Sequence, residues 1–225
     1  MIEFKSFIPE FKMVRNSEIL RSGNKEPFNM PLFSLNLFKK YIVLQKYKFI
    51  TKELQRGGRK RKTLDFGTGF GAMLPISSSI SEEVIAVDAY DDQIRAANAL
   101  VNFLKLDNVK VIKVEKENGL SRFKDQEFDL ILALDVLEHN VNYKSIILGL
   151  KRVLKPEGLI IVSLPSENFI YRLFARREVE KDAERGHVYH SKKGFLDVSN
   201  FININLKLVK SKNIYGFIYI YFLKK

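Results

Sequence analysis

The stretch Thr63-Leu64-Asp65-Phe66-Gly67-Thr68-Gly69-Phe70-Gly71-Ala72-Met73-Leu74 constrains this chain more than any other. An apolar segment runs into three glycines at alternate positions and then into helix-prone residues. That order predicts the end of a buried strand, a tight turn and the start of a helix. Glycine permits positive φ and leaves no Cβ between backbone and ligand. In an open α/β sheet, such a turn at a strand's carboxyl end is where nucleotide-like ligands bind. Gly67, Gly69 and Ala72 also satisfy the looser dinucleotide spacing G-x-G-x-x-G/A. Two details separate the readings. Asp65, two residues before the first glycine, would repel a pyrophosphate but pair with an ammonium, and Gly71 comes one residue too early for the dinucleotide pattern.

The spacing Asp65-x-Gly67-x-Gly69-x-Gly71 resembles motif I of the class I S-adenosylmethionine-dependent methyltransferases, in particular the small-molecule (type 11/12-like) members. The resemblance implies that Asp65, Gly67, Thr68, Gly69 and Gly71 seat the methionine part of S-adenosylmethionine. Val84-Ile85-Ala86-Val87 reads as a second strand ended by Asp88 and Ala89. A carboxylate there offers two acceptor oxygens and no donor, which suits both hydroxyls of a ribose. Dinucleotide enzymes place an acid at the same point, so Asp88 indicates a nucleoside more than a family; the competing role is a helix N-cap, which Asp91 or Asp92 can also fill.

Asp92 to Leu104 is expected to be a helix, and Val109 to Val114 alternates as a third strand. The family places an acid just past this strand, near the adenine amino group. Here Glu115 and Glu117 flank Lys116, which holds the aligned position, a departure from the family pattern.

Phe128-Asp129-Leu130-Ile131-Leu132-Ala133-Leu134-Asp135-Val136-Leu137-Glu138-His139 resembles the F-D-x-I-x-x-x-x-V-L-E-H segment of the same enzymes. Its apolar run suits a central strand buried on both faces. The resemblance puts Leu134 and Asp135 beside the cofactor and makes His139 a candidate general base, since imidazole takes up a proton near neutrality. The competing role for Glu138 and His139 is to orient a loop or cap the next helix. Ile146 to Leu154 reads as an amphipathic helix. Lys155-Pro156-Glu157-Gly158 reads as a turn into a fifth strand, Leu159 to Leu164, and matches the family's L-K-P-x-G pattern. The resemblance thus covers roughly residues 60 to 165 in order.

The formal charge is +12, unevenly spread: residues 1–62 hold 15 Lys/Arg against 5 Asp/Glu, and the remainder 23 against 21. A basic arm steers toward RNA, anionic membrane or acidic substrates, or is simply a solvated surface. Residues 1–58 are expected to be a basic, partly helical N-terminal extension, with a short helix near Ser17 to Arg21 and a long one over Leu32 to Gln55. The lysines of the long helix are read as snorkelling from a sheet-packed face. Arg56 to Lys62 reads as a solvated basic loop. The resemblance implies that residues 59–225 are the S-adenosylmethionine-binding domain, with 165–190 expected to be a substrate loop or insertion. There Phe169, Tyr171, Arg172, Phe174, Arg176 and Arg177 are candidates for an acceptor pocket. His187 and His190, with His139, form a three-histidine metal candidate set against ordinary surface hydrogen bonding, and no metal is expected.

Ser191 to Asn200 is expected to be a short helix capped by Ser191. Leu206 to Ile214 and Phe217 to Leu223 are expected to form a closing hairpin, its last strand inserted antiparallel as in the family. The chain has no cysteine, which excludes disulfides and thiolate chemistry. Its start shows no secretory pattern, and its longest apolar run is too short to span a bilayer, so a cytoplasmic protein is expected.

The fold expected is a doubly wound, seven-stranded, mostly parallel α/β sheet. The function expected is methyl transfer from S-adenosylmethionine to an oxygen or nitrogen of a small, lipid- or glycan-linked acceptor. No N-P-P-Y-type motif is present, which argues against amide and base nitrogens. RNA methylation through the basic arm is an alternative, and so is a cofactor-binding regulatory module without chemistry. A nicotinamide dehydrogenase stands last.

Overall fold

The computed structural model describes residues 37–115, 118–166 and 192–225. The chain divides into two compact units, one ending at Gly119 and the other beginning at Leu120. Its strands belong to a seven-stranded mixed sheet.

The first unit contains α1 (Leu37–Arg56), β1 (Lys60–Phe66), α2 (Leu74–Ile80), β2 (Ser81–Asp88), α3 (Asp91–Leu104) and β3 (Val109–Lys113). The strands lie in the order β3-β2-β1, both pairs parallel. Parallel pairing needs a crossover, which α2 and α3 supply. Leu74, Val84, Ala86 and Ala97 form a buried cluster with Val101, Leu106, Val109 and Val111 packed against it. The basic stretch is not all loop. Lys60, Arg61 and Lys62 are already in β1, where pairing with β2 from Ser81 onward recruits them, and Lys62 meets Glu83 at 3.2 Å. At the level where β1 becomes buried, the hydroxyls of Thr63 and Ser81 are 2.7 Å apart.

The long helix expected before β1 is present. Ile42, Val43, Ile50 and Leu54 form its buried stripe. Lys46 departs from the snorkelling expectation, being 1% exposed, with its ammonium 4.5 Å from the Tyr47 ring centre. Helix α3 starts with Asp91 and Asp92 in its first turn, where carboxylates favour the helix dipole. It stops at Lys105, whose φ of 52° lets its N–H return to Asn102 O.

The second unit contains β4 (Phe128–Leu134), a 3₁₀ turn (Leu137–His139), α4 (Tyr143–Val153), β5 (Leu154–Pro165), α5 (Lys192–Asn205), β6 (Lys207–Ile214) and β7 (Ile218–Lys224). Its strand order is β4-β5-β7-β6, with β4 parallel to β5 and both pairs of β7 antiparallel. Leu130 to Ala133 are wholly buried, as the apolar run predicts. The turn expected at Lys155 to Gly158 lies within β5. Phe128 pairs with Leu154 and Leu130 with Leu159, so the ladder continues across a local bulge. Lys155 reaches both oxygens of Asp129 at 2.9 Å from that bulge. Helix α5 runs five residues beyond the expected end at Asn200, because Ile202 and Leu206 extend the buried stripe begun by Val198. The closing hairpin is as expected: β7 is inserted between β5 and β6 and is largely buried, and β6 is exposed along all but its last residue. No described helix is long and apolar enough to cross a membrane.

Candidate functional site

In the first unit the glycine turn doubles back over the end of β2. The N–H groups of Gly67 and Thr68 both donate to Val87 O, at 2.8 and 2.9 Å. Such a reversal needs left-handed backbone, and φ is 71° at Gly67, 57° at Gly69 and 87° at Gly71. The glycines nevertheless differ in what they face. A Cβ on Gly71 would lie 2.8 Å from Leu74 Cδ1 and 3.3 Å from Leu100 Cδ2, so this glycine serves the core. A Cβ on Gly69 would meet nothing nearer than Gln93 Oε1 at 3.7 Å. Space for a ligand against bare backbone therefore lies at Gly69.

Two carboxylates bracket the turn. Asp65, next to last in β1, is 4% exposed, and its Oδ2 accepts a 2.9 Å hydrogen bond from the Thr68 hydroxyl. Burial pushes its pKa from 3.8 up to about 7, the Thr68 hydrogen bond opposing and the Asp88 charge assisting. Asp88, at the end of β2, accepts from Gly69 N–H through Oδ2 at 2.9 Å and from Tyr90 N–H through Oδ1 at 3.0 Å. Burial raises its pKa as well, against the backbone hydrogen bonds from Tyr90, Gly69 and Ala89. Among the described residues, neither acid is within ion-pair range of a lysine or arginine. Asp88 is not the N-cap of α3. Tyr90 occupies that position, and Asp91 and Asp92 instead pair with Lys113 and Arg95.

Ala89 is half-buried beside Asp88, and Glu115 is exposed just beyond β3. Val114 N–H donates to Asp88 O at 2.9 Å, which holds the chain before Glu115 against the end of β2. Glu117 lies outside the described residues, as do the basic arm before Leu37, the aromatic and arginine candidates from Phe169 to Arg177, His187 and His190.

In the second unit Leu134 ends β4 and Asp135 follows with φ 55°, unusual for a residue with a side chain. Ser163, wholly buried in β5 opposite Leu134, holds that conformation twice. Its carbonyl accepts Asp135 N–H at 3.1 Å, and its hydroxyl donates to Asp135 Oδ1 at 2.5 Å. Sequence reasoning missed Ser163. The available signal was one hydroxyl in the otherwise apolar run Leu159 to Leu164, at the residue paired with the end of β4. His139 closes the 3₁₀ turn after fully buried Leu137, and its side chain is outside the described set. Among the described residues no group of three His, Asp or Glu is arranged to hold a metal ion.

A family profile described as a methyltransferase domain matches residues 58–217. A ubiquinone biosynthesis O-methyltransferase from Rickettsia typhi is 29% identical over 134 residues, 59% of this chain and 50% of that protein. The mitochondrial protein of that name from Dictyostelium discoideum is 24% identical, over 65% of this chain and 50% of its own length. The chain thus spans about half the length of these curated relatives. Among solved structures, the PH0226 protein of Pyrococcus horikoshii superposes with a TM-score of 0.65 at 21% identity, covering 90% of this chain and 99% of that one. The N-methyltransferase NodS of Bradyrhizobium japonicum, in complex with S-adenosyl-L-homocysteine, gives 0.61 at 14% identity, covering 96% and 97%.

Proposed function

This chain belongs to the methyltransferase domain family, and from that premise we propose that it transfers a methyl group from S-adenosylmethionine to an oxygen or nitrogen of a small, lipid-type acceptor. The observation that carries the cofactor half of this reading is the pair of buried acids around a glycine turn with open space at Gly69. That donor set fits the cofactor. A buried carboxyl with its pKa raised to about 7 is unfavourable alone and becomes favourable beside an ammonium.

In this reading Asp65 takes the amino end of the methionine part, yielding its proton as the positive charge arrives. Gly69 allows close backbone approach. Asp88 turns its remaining acceptor capacity to the ribose hydroxyls, its own orientation fixed by Gly69 and Tyr90 N–H. Glu115 and Glu117 are the proposed adenine-side acids, and Leu134 and Asp135 are assigned the methyl side. S-adenosylmethionine supplies, when bound, an electrophilic methyl on a sulfonium. The chain's task is therefore alignment and water exclusion more than activation. His139 is the proposed acceptor of the proton released by an oxygen nucleophile. The names of the relatives favour oxygen as the atom methylated.

The test is calorimetric titration with S-adenosylmethionine of the parent chain and Gly69→Val. The expected result is micromolar binding that the substitution abolishes, since its Cβ enters space where the nearest protein atom is Gln93 Oε1 at 3.7 Å and its backbone is strained at a φ of 57°. Transfer of labelled methyl to lipophilic phenols should follow. Binding without transfer to any acceptor pool would favour the regulatory reading, and no binding by folded protein would end both.

A further inference from the structure

We propose that the hairpin β6–β7 is a docking surface for anionic membrane, with β6 as the contacting edge. Residues 192–225 carry seven lysines against one acid, Asp197, and no arginine. Three of those lysines are on β6, the outermost strand, whose first seven residues are exposed. Alternation alone would send Lys207 to the face opposite Lys210 and Lys212. The register shift between Leu208 and Lys210 resets that parity. Lys207 pairs with Lys224, Lys210 with Phe222 and Lys212 with Ile220, so all four lysines share one face of the hairpin. Lys224 is 3.5 Å from Glu157, an acid 93% exposed.

Edge lysines also deter strand-to-strand aggregation, but that device does not call for apolar exposure beside them. Here Leu208, Val209 and Tyr215 are exposed at 45, 54 and 63% along the same edge. Lysine point charges on one face of this edge, with Leu208 exposed on the other face, Val209 at the bulge and Tyr215 in the turn, match the headgroup boundary of an anionic bilayer. Nucleic-acid phosphate is more often recognised by the arginine fork, which this segment lacks. The surface lies wholly in the second unit and does not depend on the methyl-transfer reading.

The test uses the full chain, so residues 1–62 contribute equally to every variant. Co-sedimentation is measured with phosphatidylcholine vesicles containing about a third phosphatidylglycerol and with pure phosphatidylcholine vesicles. The parent should bind the anionic vesicles, less strongly as salt rises, and not the neutral ones. The variant Lys207→Gln/Lys210→Gln/Lys212→Gln should bind about a hundredfold more weakly, with its thermal unfolding unchanged. Leu208→Ser/Val209→Ser should weaken binding at high salt, where the apolar contribution remains. Parent-like vesicle binding by the lysine variant would overturn the proposal. So would equal binding to neutral vesicles, or an effect of the substitutions confined to single-stranded RNA binding or to self-association. Absence of S-adenosylmethionine binding by the parent would end the methyl-transfer reading alone.

Discussion

Replacing Asp65 by asparagine should stabilise the ligand-free protein and destroy its cofactor affinity. Asparagine keeps the shape and the carbonyl acceptor that the Thr68 hydroxyl uses, so the substitution differs from protonated aspartate mainly in being unable to ionise. A carboxyl moved from 3.8 to about 7 costs the folded chain about 4 kcal/mol once ionised, at about 1.4 kcal/mol per pH unit of displacement. The folded pKa is the higher one, so between those values the folded chain keeps a proton that the unfolded chain has released. Stability from this group is therefore fully present below about pH 4, falls as pH rises toward 7, and is level beyond. Near pH 4 parent and variant should have nearly equal stability. Between about pH 5 and pH 8 the advantage of the variant should widen by about 3 kcal/mol, a urea midpoint displacement of about 1 M for a slope of about 2–3 kcal/mol per M. Urea titrations at these pH values measure it directly. A gap that is constant with pH, or a variant less stable at pH 8, would refute the claim that Asp65 is held with a raised pKa.

Three further outcomes follow from other contacts. Titrating S-adenosylmethionine near pH 7 in buffers of different ionisation enthalpy should show release of up to about half a proton per complex, as Asp65 ionises beside the ammonium; no buffer dependence would separate Asp65 from the amino group. Gly71→Ala places a methyl 2.8 Å from Leu74 Cδ1 at φ 87°, and should cost about 2–4 kcal/mol in chemical denaturation. Arg152→Ala removes hydrogen bonds to Phe123 O and Leu120 O and a contact with Asp125, and should cost about 2 kcal/mol, with Asp125→Ala costing under about 1 kcal/mol because that acid is exposed.

What the sequence disclosed was whatever depends on local pattern. The glycine turn, the acid ending β2 and the apolar run of β4 each carry their signature within a dozen residues, and the structure places them as that signature implies. Pairing between distant strands left a fainter trace. Nothing in Lys60-Arg61-Lys62 advertises a strand; they are in one because β2 starts at Ser81 and extends the ladder to them. Lys155 to Gly158 has the composition of a turn and stays within β5 because Phe128 and Leu130 grip the chain on either side. Ser163 is silent until register sets it opposite Leu134, where its hydroxyl reaches Asp135. The open face of Gly69 and the crowded face of Gly71 are equally hidden in one letter repeated, since only the packing of Leu74 and Leu100 distinguishes them.

The insertion of β7 between β5 and β6 has a consequence for biosynthesis. As the polypeptide emerges from a ribosome, β6 precedes β7, yet in the finished sheet β6 is reached only through β7. The nascent protein therefore cannot close its sheet in the order of translation. Until residues 218–224 appear, the flank of β5 they will occupy, Ile160 to Pro165, is an open template for another chain. Stalled or prematurely ended translation products should consequently be sticky at that flank, and a chaperone that shields nascent chains would find its target there.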